Sequence, residues 1–150
     1  MQRTSESHLA YAQPQLYIDG RWLDAGDRVT EDVINPATGE ALARLPHATQ
    51  ADLDAALGAA QRAFAGWRAV APLERARILR SAATLMRERA DAIAHTMTLE
   101  QGKPLREARL EVLAGADTFD WYAEEGRRNY GRVVPGRHLH QRITVLHEPV

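Results

Sequence analysis

The chain has 150 residues, of which 45% are hydrophobic and 26% are charged, and its net charge is −1. This composition is that of one globular domain with a core, and it gives no reason to expect nucleic acid or a membrane surface as a partner. The absence of cysteine excludes a disulfide framework, a thiolate metal site and a thiol nucleophile among these residues. Because the start lacks a signal-peptide pattern and no apolar run approaches the roughly 18 residues of a membrane span, we expect a cytoplasmic protein.

The N-terminal part of the sequence predicts a leader followed by short strands. Residues 1–15 are polar and poor in core residues, so we predict a mobile leader. Two β-like runs then flank Asp19-Gly20, a dipeptide typical of a type I′ hairpin. Two further runs flank the turn sequence Asn35-Pro36-Ala37-Thr38-Gly39. Together these runs predict a β-meander.

Apolar periodicity predicts three long helices after the meander. Thr49 is a candidate N-cap of the first, with Asp52 three residues later completing a capping-box pair. The second is predicted to open near Pro72 and to run to about Met97. The third is predicted to open at Pro104, directly after a turn that suits a left-handed helix cap, and to run as one long amphipathic helix.

The end of the chain predicts one more strand. Residues 142–147 alternate between polar and apolar side chains, which is typical of a half-buried strand. No partner strand is obvious in the sequence, so we expect an open apolar edge that something must cover.

Several polar residues could be given a functional role, but a simpler structural role also accounts for each of them. Lys103 precedes a helix start, where it could contact an anion, but a solvated turn residue is the simpler reading. Glu124 and Glu125 point about 100° apart on a helix, so they cannot form a catalytic carboxylate pair. Pairing with arginines three or four residues on is the simpler role.

Histidines and arginines near the end of the chain form two further candidate clusters. His138 and His140 would share one side of an extended segment, but a third zinc ligand would have to be His147 after a turn, and no supporting carboxylate is placed for it. Nucleic-acid binding would need aromatic platforms within a basic face, and Tyr130 is the only aromatic residue among the arginines 127, 128, 132, 137 and 142. Neither site is favoured.

Four motifs carry a resemblance to a known family. The run LEQGKPLREAR at residues 99–109 and the run WYAEEGRR at residues 121–128 lie between Val33-Ile34-Asn35-Pro36-Ala37-Thr38-Gly39-Glu40 and His147-Glu148-Pro149-Val150. In this order and spacing they resemble the N-terminal third of the aldehyde dehydrogenase superfamily, and the first two runs are most similar to its succinate-semialdehyde dehydrogenase branch.

The resemblance implies an α/β fold of the aldehyde dehydrogenase type. Residues 16–150 would form the N-terminal part of the cofactor-binding domain: a β-meander, three long helices and the start of an oligomerisation strand. Residues 137–150 would enter the oligomerisation flap. The doubly wound cofactor core would lie mostly beyond residue 150, and the protein would be a homo-oligomer, either a dimer or a tetramer.

The resemblance also implies an activity. Such enzymes oxidise an aldehyde, here succinic semialdehyde or a related semialdehyde, to the carboxylate with NAD or NADP through a cysteine thiohemiacetal. The cysteine, the general-base glutamate and the main cofactor contacts would lie beyond this chain, so we assign no catalytic or cofactor-binding residue within it and expect the stretch alone to be inactive. The alternative is a non-catalytic assembly or interaction module, if the 150 residues are the whole protein.

One site is implied within the chain. Several members of the family bind a monovalent cation through main-chain oxygens before the Asn-Pro motif and a carboxylate in the long helix. The matching positions are Val33, Ile34 and Glu111. Oxygen ligands of this kind suit a hard cation. The alternatives are a core position for Ile34 and a solvated or capping role for Glu111.

Overall fold

A computed structural model describes residues 11–149 of the chain, which contain six strands and four α-helices. The strands form three separate antiparallel pairs. They are β1 (Leu16–Ile18), β2 (Arg21–Leu23), β3 (Thr30–Ile34), β4 (Ala41–Pro46), β5 (Arg132–Pro135) and β6 (Arg142–Val145). The helices are α1 (Gln50–Arg68), α2 (Pro72–Glu88), α3 (Ala90–Gln101) and α4 (Leu105–Glu125). None of these four helices combines the length and the apolar character needed to cross a bilayer.

The predicted leader is described only from residue 11 onward, and residues 1–10 lie outside the described residues. The Tyr11 hydroxyl donates a hydrogen bond of 2.5 Å to the Glu100 carboxylate, and partial burial together with this contact raises the pKa of Tyr11 to about 12. The side-chain amide of Gln13 donates to the carbonyl of Arg44, and that of Gln15 donates to the Asp24 carboxylate. These bonds attach residues 11–15 to the strands and to the end of α3.

The first hairpin confirms the predicted turn type. Ile18 pairs with Arg21 across the turn, and both central residues have positive φ, 52° for Asp19 and 77° for Gly20. Positive φ at both positions defines a type I′ turn, whose twist matches that of the flanking strands. The second hairpin, β3–β4, does not pair with the first, so the predicted β-meander is two separate hairpins.

The start of α1 confirms the predicted capping box. The Thr49 hydroxyl accepts a hydrogen bond of 3.2 Å from the Asp52 amide, and the Asp52 carboxylate accepts one of 2.8 Å from the Thr49 amide. Two amide groups that would otherwise lack partners at the helix start are therefore satisfied.

The prediction of a single helix between residues 72 and 97 is wrong, because α2 and α3 are separated at Arg89. Arg89 leaves helical geometry at φ −103° and ψ 11°. The hydrogen bonds from Arg89 to Leu85 and from Ile93 to Arg89 continue across the break, each at 3.0 Å. The apolar residues therefore keep their helical spacing from α2 into α3, and that spacing alone does not indicate the break.

The prediction that the last strand has no partner is also wrong. β5 pairs antiparallel with β6, with Val133 opposite Thr144. The third predicted helix ends at Glu125, which leaves room for β5 after Gly131. A Cβ on Gly131 would lie 2.4 Å from the Val145 carbonyl oxygen, so glycine permits this close approach. Four residues are too short a run to distinguish a strand from a loop by periodicity.

The buried core of the described residues is narrow and built from small side chains. α4 packs against α2 and α3 through the residues Ala76, Ala83, Ala90, Ala94, Ala108, Val112, Ala116 and Ala123. The chain exposes 12,080 Å², whereas a compact monomer of its 16.7 kDa mass exposes about 7,600 Å². Residues 1–10 and 150 would account for at most about 1,800 Å² of that difference even if fully extended. Apolar surface that a compact domain would bury is therefore left open.

Candidate functional site

The predicted cation residues lie near a contact between two turns. The ring of Pro36, in the turn between β3 and β4, packs on Gly102, which links α3 to α4. Gly102 has φ 73°, and a Cβ added to it would lie 3.1 Å from Pro36 Cγ. We call Pro36, Gly102, Lys103 and Glu111 the Gly102 joint.

Lys103 completes this joint. Its ammonium group binds the Glu111 carboxylate, and only 29% of the Lys103 side chain is exposed, against 53% for Glu111. Lys103 lies just before α4, and Glu111 lies in the second turn of that helix. The lysine predicted as a solvated turn residue is thus half-buried in an ion pair.

These residues fit a monovalent cation poorly. Val33 and Ile34 lie opposite Ala43 and Ala41, so the pairing skips Leu42 and the unpaired residue of this bulge lies on β4 rather than on β3. The Glu111 carboxylate is already bound to the Lys103 ammonium group, and two unit charges at 4 Å repel by about 1 kcal/mol in water and about 4 kcal/mol near a protein surface. The alternative core position for Ile34 is not observed, because its side chain is 46% exposed. The cation site at Val33, Ile34 and Glu111 stays a prediction.

The histidines are not brought together. His138 and His140 lie in the turn between β5 and β6, and His147 follows β6. Across residues 11–149, no three side chains of histidine, aspartate or glutamate form a group that could hold a metal ion.

The two adjacent glutamates make the contacts that their spacing predicts. Glu125 accepts a hydrogen bond of 2.7 Å from Arg128, which raises the pKa of that arginine above its ordinary value. Glu124 contacts Arg127 at 3.4 Å and also binds Arg80 of α2. The second contact was not predicted, because it joins two helices.

A second arginine on the same side of α2 also reaches α4. Arg87 contacts Asp117 at 2.6 Å and Asp120 at 2.7 Å, and these two carboxylates raise its pKa above the ordinary value. Arg80 and Arg87 are seven residues apart, as are Asp117 and Glu124, so each set follows one helix face. That matching spacing was the available signal for an α2–α4 contact.

Another ion pair that sequence reasoning missed lies at the start of α1. Arg28 binds Asp52 through two hydrogen bonds, at 2.7 Å and 2.9 Å, and Asp52 is the one buried charged side chain identified among the described residues. The Arg28 guanidinium, followed by the backbone and hydroxyl of Thr49, holds the pKa of Asp52 well below its ordinary value. The pair joins the turn before β3 to the first turn of α1.

A cleft of about 690 Å³ lies between the end of α1, the start of α2, the end of α4 and residues 147–149. Arg68 donates a hydrogen bond of 3.0 Å to Glu148 across it. Arg127 is paired with Glu124, and Arg75 donates to the Val70 carbonyl at 2.9 Å. Because these three guanidinium groups already have partners, their contacts do not identify an anion site.

Comparison with known proteins identifies a family that the chain matches. A model of the aldehyde dehydrogenase family matches residues 22–150. The chain is 45% identical over 136 residues to the NADP(+) succinate-semialdehyde dehydrogenase GabD of Escherichia coli (strain K12), which covers 91% of this chain and 28% of that protein. It is 43% identical over 136 residues to a glutarate-semialdehyde dehydrogenase of Pseudomonas aeruginosa, with the same two coverages.

A solved structure agrees with these matches. The aldehyde dehydrogenase of Brucella melitensis biovar abortus 2308 superposes with a TM-score of 0.85 at 42% identity, covering 96% of this chain and 29% of that one. The chain thus spans less than a third of the length of these relatives. The resemblance and the α/β fold inferred from the four sequence motifs are confirmed.

Proposed function

The chain belongs to the aldehyde dehydrogenase family, and on that premise we propose that the protein oxidises a small semialdehyde, succinic semialdehyde or a close homologue, to the carboxylate with NAD or NADP. The observation that carries the proposal is the continuous match to the family over residues 22–150, shared with semialdehyde dehydrogenases. The supporting relatives differ in the length of the semialdehyde that their names give, so the substrate class is proposed rather than one compound.

We place the reacting groups of this proposed activity outside the described residues. A bound NAD or NADP would accept the hydride that leaves the aldehyde carbon. Residues 11–149 contain antiparallel strand pairs and no parallel sheet, and the sequence has no G-x-G-x-x-G run, so we propose that the main dinucleotide contacts lie outside these residues. The chain also has no cysteine, so it does not supply the thiolate that would add to the carbonyl carbon.

We assign these residues a supporting role in that reaction. Residues 16–150 would form the N-terminal part of the cofactor-binding domain. The ion pairs of Arg80 and Arg87 hold α2 against α4 as one unit. The apolar face of α1, which includes Leu53, Leu57 and Trp67, is exposed and suited to packing against another part of the protein.

We further propose that the protein associates into a dimer or tetramer through the hairpin β5–β6, with residues 137–150 entering the oligomerisation flap. Both strands of the hairpin are exposed along their whole length, and they pair only with each other among the described strands. A two-stranded hairpin is marginal in water by itself, and its free edges are templates for pairing with another chain.

The proposed activity is tested on the natural gene product. Absorbance of the reduced cofactor would be followed with succinic semialdehyde, glutaric semialdehyde and acetaldehyde, each with NAD and with NADP. We expect the highest kcat/KM with a semialdehyde, and no reduction with 4-hydroxybutyrate, the matched alcohol control. Absence of cofactor reduction with every aldehyde would overturn the proposal.

A further inference from the structure

We propose that the ammonium group of Lys103 is a built-in cation for Glu111, so that the Gly102 joint binds neither Na⁺ nor K⁺. This inference concerns the implied cation site and does not depend on which aldehyde the protein oxidises. In this proposal, the Lys103 side chain takes the place of a dissolved ion of the same charge.

The first argument is electrostatic. An ammonium group and an alkali-metal ion both carry a single positive charge and both bind carboxylate oxygen. Because Lys103 already neutralises Glu111, a second cation on the same carboxylate would meet an ammonium group at short range and would be repelled.

The second argument is the rigidity of the lysine's attachment. Gly102, before Lys103, is a left-handed cap whose amide donates to the Thr98 carbonyl at 2.9 Å. Pro104, after it, has its φ restricted by the ring and begins α4 with φ −55°. The backbone is therefore ordered on both sides of Lys103, so only the side-chain torsions remain to be ordered when the ammonium group is placed against Glu111.

The third argument is the half-buried position of the lysine. Only 29% of its side chain is exposed, and the ring of Pro36 packs on the preceding residue. The ion pair is thus part of the contact between the β3–β4 turn and the α3–α4 junction. A tethered cation is present at this contact whichever cation is dissolved in the medium.

The experiment compares ions at constant ionic strength. The natural gene product would be unfolded thermally in tetramethylammonium chloride, in NaCl and in KCl, and its aldehyde oxidation would be measured in the same buffers. We expect the same Tm in all three salts. A saturable rise in Tm that Na⁺ or K⁺ produces and tetramethylammonium does not would overturn the proposal.

Two variants sharpen the result. Lys103→Met removes the ammonium and leaves the Glu111 carboxylate, so we expect its Tm to acquire a saturable dependence on Na⁺ or K⁺. Lys103→Arg retains the charge and is expected to remain independent of both ions. A Lys103→Met protein whose Tm ignores the ion would show that Glu111 needs no cation and would overturn the inference. If Lys103→Met does not fold, the comparison of salts on the natural protein still decides the question, and it does so by a readout that does not require activity.

Discussion

Arg28 and Asp52 form a two-bonded ion pair that joins the turn before β3 to the start of α1. The same Asp52 carboxylate accepts hydrogen bonds from the amide and hydroxyl of Thr49. One side chain thus caps a helix and also attaches it to the strands. Since α1 has no other buried residue, this ion pair is the main buried contact between that helix and the strands.

Asp52→Asn should destabilise the protein. The substitution removes the charge that binds Arg28 and weakens the cap, and loss of an N-terminal cap interaction costs about 0.5–2 kcal/mol. The free energy of unfolding, measured by urea denaturation of the natural gene product, should fall by this amount. Asp54→Asn is the matched control, because Asp54 is exposed in the same helix and its side chain, within residues 11–149, accepts a hydrogen bond from Gln50 alone. Equal losses for both variants would contradict the role given to Asp52.

The lowered pKa of Asp52 predicts an acid dependence of stability. A carboxylate whose pKa is lower in the folded state than in the unfolded state stabilises the protein above the unfolded value, about 3.9. That contribution is constant near neutral pH and is lost as the pH falls below about 4 through the folded value. Asp52→Asn should therefore flatten the fall in Tm below about pH 4. A variant that retains the full acid slope would show that other groups produce it.

Two glycines should respond oppositely to alanine. Gly102→Ala should lower the free energy of unfolding by about 1–2 kcal/mol, because an L residue is strained at positive φ and the new Cβ would crowd Pro36. Gly66→Ala, the matched control within α1, has no atom within 4 Å of the new Cβ. It should raise the free energy of unfolding by about 0.5–1 kcal/mol. A Gly102→Ala variant that is as stable as the natural protein, or more stable, would contradict the described backbone at Gly102.

Arg87→Gln should cost more than Arg77→Gln. Arg87 joins α2 to two carboxylates of α4, whereas Arg77 pairs with Glu74 inside α2. Exposed ion pairs contribute about 0.2–1 kcal/mol each, so we expect a loss of about 1 kcal/mol for Arg87→Gln and less than half of that for Arg77→Gln. Increasing the salt concentration should reduce the difference, since exposed charges are screened. Thermal unfolding at two ionic strengths checks both statements.

Structural features that depend on groups only a few residues apart were predictable from the sequence. The type I′ turn at Asp19-Gly20 and the capping box of Thr49 and Asp52 depend on groups at most three residues apart, and both are confirmed. Local side-chain chemistry is sufficient for such features because neither needs a distant partner.

Features that depend on distant partners were missed. Arg28 and Asp52 are 24 residues apart, and nothing in the composition of the turn around Arg28 indicates a partner in α1. The partner of β6 was missed because β5 is short and follows a helix that was predicted to be longer. At the candidate site, the sequence predicts a solvated Lys103, because its partner Glu111 lies two turns into the next helix. The sequence motifs identify the family, while these contacts require the fold.

The central claim is that the protein converts a semialdehyde to a carboxylate, and the most direct test is to identify the product. Succinic semialdehyde labelled with carbon-13 at the aldehyde would be incubated with the natural gene product and NADP, and the mixture followed by NMR. The account predicts labelled succinate, formed in a one-to-one ratio with reduced cofactor. Unchanged aldehyde with both NADP and NAD, or its conversion to an alcohol alone, would contradict it.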